Sequence, residues 1–517
     1  MSLGKIGRFV AAAICFGGVV AGSAAAGAAP SPKACRERNN STTSRLLECI
    51  RAHALWQHLV NFQVIADQNP GRDGHGNRDT GTSGYRASVD YVAALMRKAG
   101  YNVTIQPYPW KTFVLLAPPA FRDGARAYRL EKDWFVARLS GSGSVTAPVQ
   151  PAGAKNGMDA ASGCSRRDFE RFRRGNIALL QRGACEFDVQ VANAQASGAS
   201  AVVIYNNRAG VNEVGGKARN GGSAYQANLA ERAAIPVIGV VSHAVGADLD
   251  ARYRAGKAPR VSIGVQAEKK SDTDYNVIAD SPFGDPHRTV VIEGHLDSIY
   301  GAGILDNGSG SATILEIARN MARTPTSNRL RYIWFGGEEI ALLGSRYYTK
   351  ALSQKQLRDI VFDVDADVTA TPNFDILIAD PGHAHNADKL SKRVLRDSQI
   401  GNRLFLDYFR TIGVASRIAS FGNDGTDSIP FGLAGIPNTG ILTQQNCCKK
   451  PWEVKLWGGF LGNYEGKVPG RDGGCVDNPR RWCDNLSNNN RFVFEIVSKA
   501  TAYVTLKLAN DASLKRK

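Results

Sequence analysis

Apolar residues recur at helical spacing over 52–65, where Leu55, Leu59, Phe62 and Ile65 share one face, and again over 85–99 with Val89, Val92, Leu95 and Met96. Gly100 ends the second helix, and 101–108 then alternates as a half-buried strand does. Residues 30–48 are polar and read as a loosely packed lead-in, while 69–84, rich in Gly, Asn and Asp, reads as a loop. Between about 140 and 265 the texture changes to short apolar runs at 176–180, 201–205 and 235–240, separated by Gly- and Ala-rich segments that include a helix over 189–197. From 276 onward, strands at 289–293, 330–335, 360–365 and 374–379 alternate with helices at 309–323 and 340–352, and 490–508 reads as a closing helix. That rhythm predicts a mixed sheet sandwiched by helices.

At 517 residues the chain exceeds what one core usually supports, so a second folded unit is expected. A short basic start (Lys5, Arg8), an apolar run over 9–20 and small residues over 24–29 read together as a cleavable secretory signal at 1–29. The apolar run falls short of the ~20 residues that a membrane span needs. A secreted protein, extracellular or periplasmic and without a stable membrane anchor, is therefore expected. Cleavage takes Cys15 away and leaves eight of the nine cysteines in a compartment where disulfides persist. Local clustering pairs Cys35 with Cys49 and Cys164 with Cys185, whereas Cys447, Cys448, Cys475 and Cys483 leave three connectivities open. The spacings contain no CxxC, which argues against a thiolate metal site. The formal charge of +17 falls by two, to +15, with the signal. It is spread in small clusters such as Arg166 and Arg167, Arg171 to Arg174, and the tail at Lys515, and no recognition motif accompanies it. A solvated basic surface is expected, with no nucleic-acid partner.

Candidate chemistry concentrates at 294–345. In a mainly parallel sheet the strand ends and the loops after them form the crevice where ligands bind. His295 and Asp297 follow one predicted strand, Glu338 and Glu339 a second, and Asp367 a third, while Asp306 immediately precedes a helix, whose dipole favours a charged carboxylate. Zinc takes His nitrogen and carboxylate oxygen, and a catalytic site keeps a position open. His295, Asp306 and Asp367 would complete one site; Asp306 and Glu339 would begin a second, with Asp306 bridging. Glu338 is then left unligated, able to take a proton from water and pass it to a leaving amine. Asp297, two residues beyond His295, is placed to hold the far ring nitrogen of that histidine.

Two resemblances extend this reading. The run at 176–187, with Gln181-Arg182-Gly183-Ala184-Cys185-Glu186-Phe187, and the segments at 201–207 and 235–240 resemble the protease-associated domain, a β-rich module inserted in many secreted peptidases, here expected at 141–265. The stretch 294–345, Asp367-Val368-Thr369-Ala370-Thr371-Pro372-Asn373 and the segment 69–101 resemble the secreted co-catalytic zinc aminopeptidases, relatives of glutamate carboxypeptidases and glutaminyl cyclases. That likeness implies a three-layer α/β/α zinc-exopeptidase fold of the phosphorylase/hydrolase-like type, its peptidase parts at 30–140 and 266–517 flanking the insert. It also implies two Zn2+ ions and release of amino acids from peptides or proteins with a free N-terminus. Carried over by position, His295, Asp306, Glu339 and Asp367 look like ligands, Glu338 like the general base and Asp297 like the orienting acid.

One departure is conspicuous. The family's last ligand is a histidine shortly before a Cys-Asp-(Ser/Thr) segment, and Cys475-Val476-Asp477-Asn478-Pro479-Arg480-Arg481-Trp482-Cys483-Asp484 contains none. Counting forward from Cys475 puts Asp477 at the ligand position; counting back from Cys483 puts Arg480 there. Asp can ligate zinc and Arg cannot, so Asp477 is the expected ligand, in a loop that Cys475 and Cys483 still shape. His383, His385 or a water could fill the place instead. In Asp424-Gly425-Thr426-Asp427-Ser428, Ser428 stands where the family has another histidine, a change expected to alter pocket shape. The competing functions are a non-catalytic or single-metal binding protein and a carboxypeptidase of the same fold.

Overall fold

The computed structural model describes residues 30–71, 74–153, 162–183, 185–207, 224–229, 233–299, 301–384, 387–419, 426–444, 449–465 and 483–514. Its larger sheet has eight strands, in the order Asn102–Leu115, Ala267–Asp280, Asn328–Phe335, Asp285–His295, Ile360–Ala366, Asn438–Leu442, Leu377–Ala379 and Arg417–Ala419. The strand Asp285–His295 runs parallel to both of its neighbours. Strands so placed are covered on both faces and read as continuous apolar runs, as Val290, Val291 and Ile292, all fully buried, illustrate.

Helices Ala52–Gln68, Ser83–Ala99, Gly308–Met321 and Arg491–Asn510 cover one face of this sheet, burying Leu55, Phe62, Val89, Ile314 and Val497 against Val290 and Ile292. The other face packs Val291, Ile333 and Phe335 against Tyr348 and Phe431, from helices Leu343–Ala351 and Ser428–Leu433. The result is the three-layer α/β/α arrangement.

A second, seven-stranded sheet holds its own core, with Phe121, Trp134, Val149, Ile177, Val203 and Ile263. The chain reaches it along a long antiparallel pair, Asn102–Leu115 with Ala267–Asp280, whose register ends at Leu115 opposite Ala267. Both arms leave the main sheet together, so the smaller sheet already includes Ala120–Asp123, upstream of the expected start at 141. The Gly- and Ala-rich texture that marks the module in the sequence begins only after this first strand.

Two expectations change. The polar lead-in is ordered as helices Pro32–Glu37 and Thr43–Leu47, each capped by a hydroxyl, Ser31 and Thr42, and tied by the disulfide Cys35–Cys49. Asn40 is buried there, donating from Nδ2 to the carbonyls of Cys35 and Asn320; caps, a cross-link and one buried amide hold a segment that has few apolar side chains. The helix expected from 340 begins at Leu343, because Ala341 and Leu342 take left-handed backbone conformations, with φ of 78° and 58°. The second expected disulfide, Cys164–Cys185, is present, and Cys483 is also disulfide-bonded. Cys447, Cys448 and Cys475 lie outside the described residues.

Candidate metal centre

Three adjacent parallel strands deliver the site. Asp285–His295 ends on His295, opposite Phe335 of its neighbour. That neighbour passes through Gly336 and Gly337 into Glu338 and Glu339, and Ile360–Ala366 ends one residue before Asp367. Close approach demands the glycines. A Cβ on Gly336 would lie 2.1 Å from the Tyr85 hydroxyl oxygen, and one on Gly310, in the first turn of helix Gly308–Met321, would lie 1.9 Å from the Ala366 carbonyl oxygen. Asn307 caps this helix, accepting the Gly310 N–H at 2.8 Å and the Val368 N–H at 3.2 Å while donating to the Ala366 carbonyl at 2.9 Å. One side chain thus ties the loop carrying Asp306 to the loop carrying Asp367.

His295 sits at the middle. Its Nδ1–H donates to the backbone carbonyl of Asp297 at 3.0 Å, and the Asp297 carboxylate lies at 3.4 Å, so the orienting contact expected of that carboxylate is made first by its main chain. Nε2 faces Asp306 Oδ1 at 3.2 Å, Asp367 Oδ1 at 3.5 Å and Glu338 Oε2 at 3.9 Å. With the proton on Nδ1, Nε2 turns a lone pair toward three carboxylates, an arrangement that only a proton or a metal ion between them makes favourable. His295, Asp306 and Glu339 each bring one donor atom within 4.8 Å of the others. Glu339 Oε1 and Asp367 Oδ1 are buried with no hydrogen-bond partner, and one His nitrogen among carboxylate oxygens is a donor set suited to zinc. The residues present therefore fit a metal ion.

The electrostatics agree. Burial by itself would lower the His295 imidazole, but the carboxylates of Glu338, Asp297, Asp306 and Asp367 outweigh it and hold it well above its ordinary value. Burial pushes Glu338 well above the usual carboxylate range, with His295 opposing and Glu339 adding; Glu339 is raised by burial and then by Asp306. A cation replaces the proton in satisfying such a cluster.

Asp477 and Arg480 lie outside the described residues, as does His385. His383 does not join the cluster: its Nδ1 lies 3.1 Å from Asp380 and its side chain is 61% exposed. Ser428 is buried and, with Thr426, Asp380 and Asn438, lines a pocket.

Several residues at the site were not legible as such. Thr80 donates its hydroxyl to Asp297 Oδ2 at 2.8 Å, and Arg78, fully buried, donates from Nη2 to the Leu296 carbonyl at 2.9 Å. Both come from the segment 69–84, whose composition signals only a loop. Asp484 accepts the N–H groups of Leu305 and Asp306, and the one clue to it was its place beside Cys483. Below the centre, Glu293 pairs in register with Asp365, and Asp363 follows two residues earlier. Glu293 and Asp363 are fully buried with no partner on any carboxylate oxygen. Burial first and Asp365 next push both well above the ordinary range. Acidic residues at 363, 365 and 367 carried that signal, since alternate positions of a strand share a face.

Comparison with known proteins decides the family. A model of peptidase family M28 matches residues 276–457, and a PA domain model matches 145–249. An aminopeptidase of Pseudomonas aeruginosa is 32% identical over 485 residues, which cover 92% of this chain and 84% of that protein. The chain belongs to peptidase family M28. This M28 peptidase is accordingly a hydrolase, with a PA domain inserted in its peptidase unit. Among solved structures, an aminopeptidase from Aneurinibacillus sp. strain AM-1 superposes with a TM-score of 0.67 at 22% identity, covering 92% of this chain and 98% of that one. A zinc aminopeptidase from Bacillus subtilis gives a TM-score of 0.61 at 21% identity, covering 90% and 97%. At these identities the likeness shows the fold alone. No helix among the described residues of the M28 peptidase is long and apolar enough to cross a membrane.

Proposed function

We propose that this M28 peptidase is a secreted, zinc-dependent aminopeptidase that removes N-terminal residues from peptides, with Glu338 as its general base. One observation carries the reading: His295 Nε2 faces Asp306 at 3.2 Å and Asp367 at 3.5 Å, Glu339 brings a donor atom within 4.8 Å of those of His295 and Asp306, and Asp367 and Glu339 each hold a buried oxygen without a hydrogen-bond partner. The relatives named above as aminopeptidases, one of them as a zinc aminopeptidase, support it.

His295, Asp306 and Asp367 would hold one zinc ion, and Asp306 with Glu339 would hold a second, completed by Asp477. Zinc bound there supplies Lewis acidity, which acidifies water and polarises the scissile carbonyl. Glu338 takes the proton of the attacking water on its carboxylate and delivers it to the leaving amine. Its backbone is held for this task, since its N–H donates to Asp297 Oδ1 at 3.3 Å, the carboxylate that also accepts from Thr80. Relatives at 32% and 31% identity that are named aminopeptidases favour an aminopeptidase over a carboxypeptidase of the same fold. The disulfides Cys35–Cys49 and Cys164–Cys185 suit the oxidising compartment of a secreted protein.

The test is release of the first residue from an aminoacyl p-nitroanilide, abolished by a chelator and restored by zinc. The N-acetylated substrate should resist. Hydrolysis of N-blocked peptides from their free carboxyl end would overturn the assignment in favour of a carboxypeptidase.

A further inference from the structure

The loop between His295 and Asp306 is clamped at both ends by residues distant in sequence. At its start, the Arg78 Nη2 donates to the Leu296 carbonyl at 2.9 Å, the Arg78 carbonyl accepts the Ser298 N–H at 3.2 Å, and the Arg78 N–H donates to the Gly301 carbonyl at 3.0 Å. At its end, Asp484 accepts the Leu305 N–H on Oδ1 at 2.6 Å and the Asp306 N–H on Oδ2 at 3.1 Å, and its own carbonyl lies 3.4 Å from the Ile304 N–H. Two successive backbone amides gripped by the two oxygens of one carboxylate fix the rotation of the peptide planes as well as their position.

Arg78 supplies the opposing charge. It is fully buried, its Nε and Nη1 have no hydrogen-bond partner, and it lies beneath the turn into helix Gly308–Met321, where a Cβ on Gly308 would sit 3.7 Å from Nη1. A guanidinium so placed needs carboxylates near it. Burial lowers the Arg78 guanidinium from 12.5 to about 10, with the carboxylates of Asp484 and then Asp297 opposing, and the main chain of Asp297 orients His295. Arg78 thus holds the start of the ligand loop and Asp484 its end.

We infer that Asp484 is the positioning residue that aims Asp306 at the metal ion and so sets the affinity of the centre for zinc; this rests on the zinc reading proposed above. Asp306 is the ligand that both halves of the site would share, so its aim affects both. In Asp484→Asn the amide keeps a single acceptor oxygen, and its NH2 faces one of the two backbone N–H groups. One bond is lost and the peptide that carries Asp306 is held less firmly. Loss of a group that orients a ligand weakens metal binding about 10–100-fold.

The experiment measures the zinc dissociation constant of the full chain by competition with a chromophoric chelator, alongside circular dichroism of the metal-free protein. Asp484→Asn is expected to bind zinc about tenfold or more weakly than the parent while keeping the parent's spectrum. A lower unfolding temperature with zinc affinity within about threefold of the parent would mean a merely structural role and would overturn the inference. Asp484→Glu keeps both acceptor oxygens one methylene further out and decides the matter if the Asn variant does not fold. An intermediate loss of affinity supports the inference, and the parent's affinity overturns it. A parent that binds no zinc at all strikes down the underlying reading and this inference with it, whereas tight parent binding with unaffected variants strikes down only the role of Asp484.

Discussion

Asp274 gives the sharpest test of how the buried acids around the centre are balanced. It lies on the strand Ala267–Asp280, 3% exposed, with Oδ2 accepting the Gly81 N–H at 2.6 Å and Oδ1 the Tyr275 N–H at 3.0 Å. Burial pushes its carboxyl from 3.8 up to about 7, the Gly81 amide opposing and the Asp297 carboxylate adding. A folded-state value above the unfolded one means that the folded chain binds the proton more tightly. The contribution to stability is therefore fully present below pH 3.8 and is lost as pH rises through about 7. At about 1.4 kcal/mol per unit, the part lost between pH 5 and pH 8 is about 3 kcal/mol. Asp274→Asn abolishes this titration and gives up one backbone hydrogen bond, a cost of about 1 kcal/mol that does not vary with pH. The stability of the variant relative to the parent should thus improve by about 3 kcal/mol on going from pH 5 to pH 8, whatever its value at either end. Guanidinium unfolding of the metal-free proteins at the two pH values, followed by circular dichroism, reads this difference directly. A relative change below about 1 kcal/mol, or one that favours the parent, would mean that Asp274 is not held protonated by its burial.

Three further outcomes are expected. Replacing Cys35 and Cys49 by alanine opens a cross-link with a sequence separation of 14 and should lower unfolding free energy by about 3 kcal/mol in denaturant titrations. Thr80→Val removes the hydroxyl bond to Asp297 Oδ2; kcat/KM should fall about tenfold, the worth of one hydrogen bond to a charged group, while zinc content stays at the parent's value. His383→Ala should leave zinc stoichiometry by elemental analysis unchanged, since the ring is exposed and pairs with Asp380; a loss of zinc would return His383 to the ligand set.

The sequence was informative where short-range pattern and chemistry coincide. The order of His295, Asp306, Glu338, Glu339 and Asp367 at the ends of predicted strands was readable because a parallel sheet places its loops on one edge, and the structure brings these residues together around His295 Nε2. The groups that brace them were not readable, because each acts across a separation that spacing cannot reveal: Thr80 lies 217 residues from Asp297, and Asp484 lies 178 from Asp306. The order of residues 30–48 escaped for a different reason, since caps, a disulfide and the buried amide of Asn40 hold it in place of an apolar stripe. The start of the inserted sheet escaped because Ala120–Asp123 is defined by pairing with Arg260–Val265, more than a hundred residues later, and has no turn or composition signal of its own.

The proposed function rests on Glu338 as the proton carrier of a zinc centre built on His295, Asp306, Glu339 and Asp367. Zinc content and turnover of an aminoacyl p-nitroanilide, measured together on the parent and on Glu338→Gln, test it most directly. Two zinc ions per chain are expected in both proteins, with kcat about 100-fold lower or worse in the variant, the ordinary cost of removing a general base. A loss of less than about tenfold with zinc retained, or a parent that holds zinc and releases no amino acid, would contradict it.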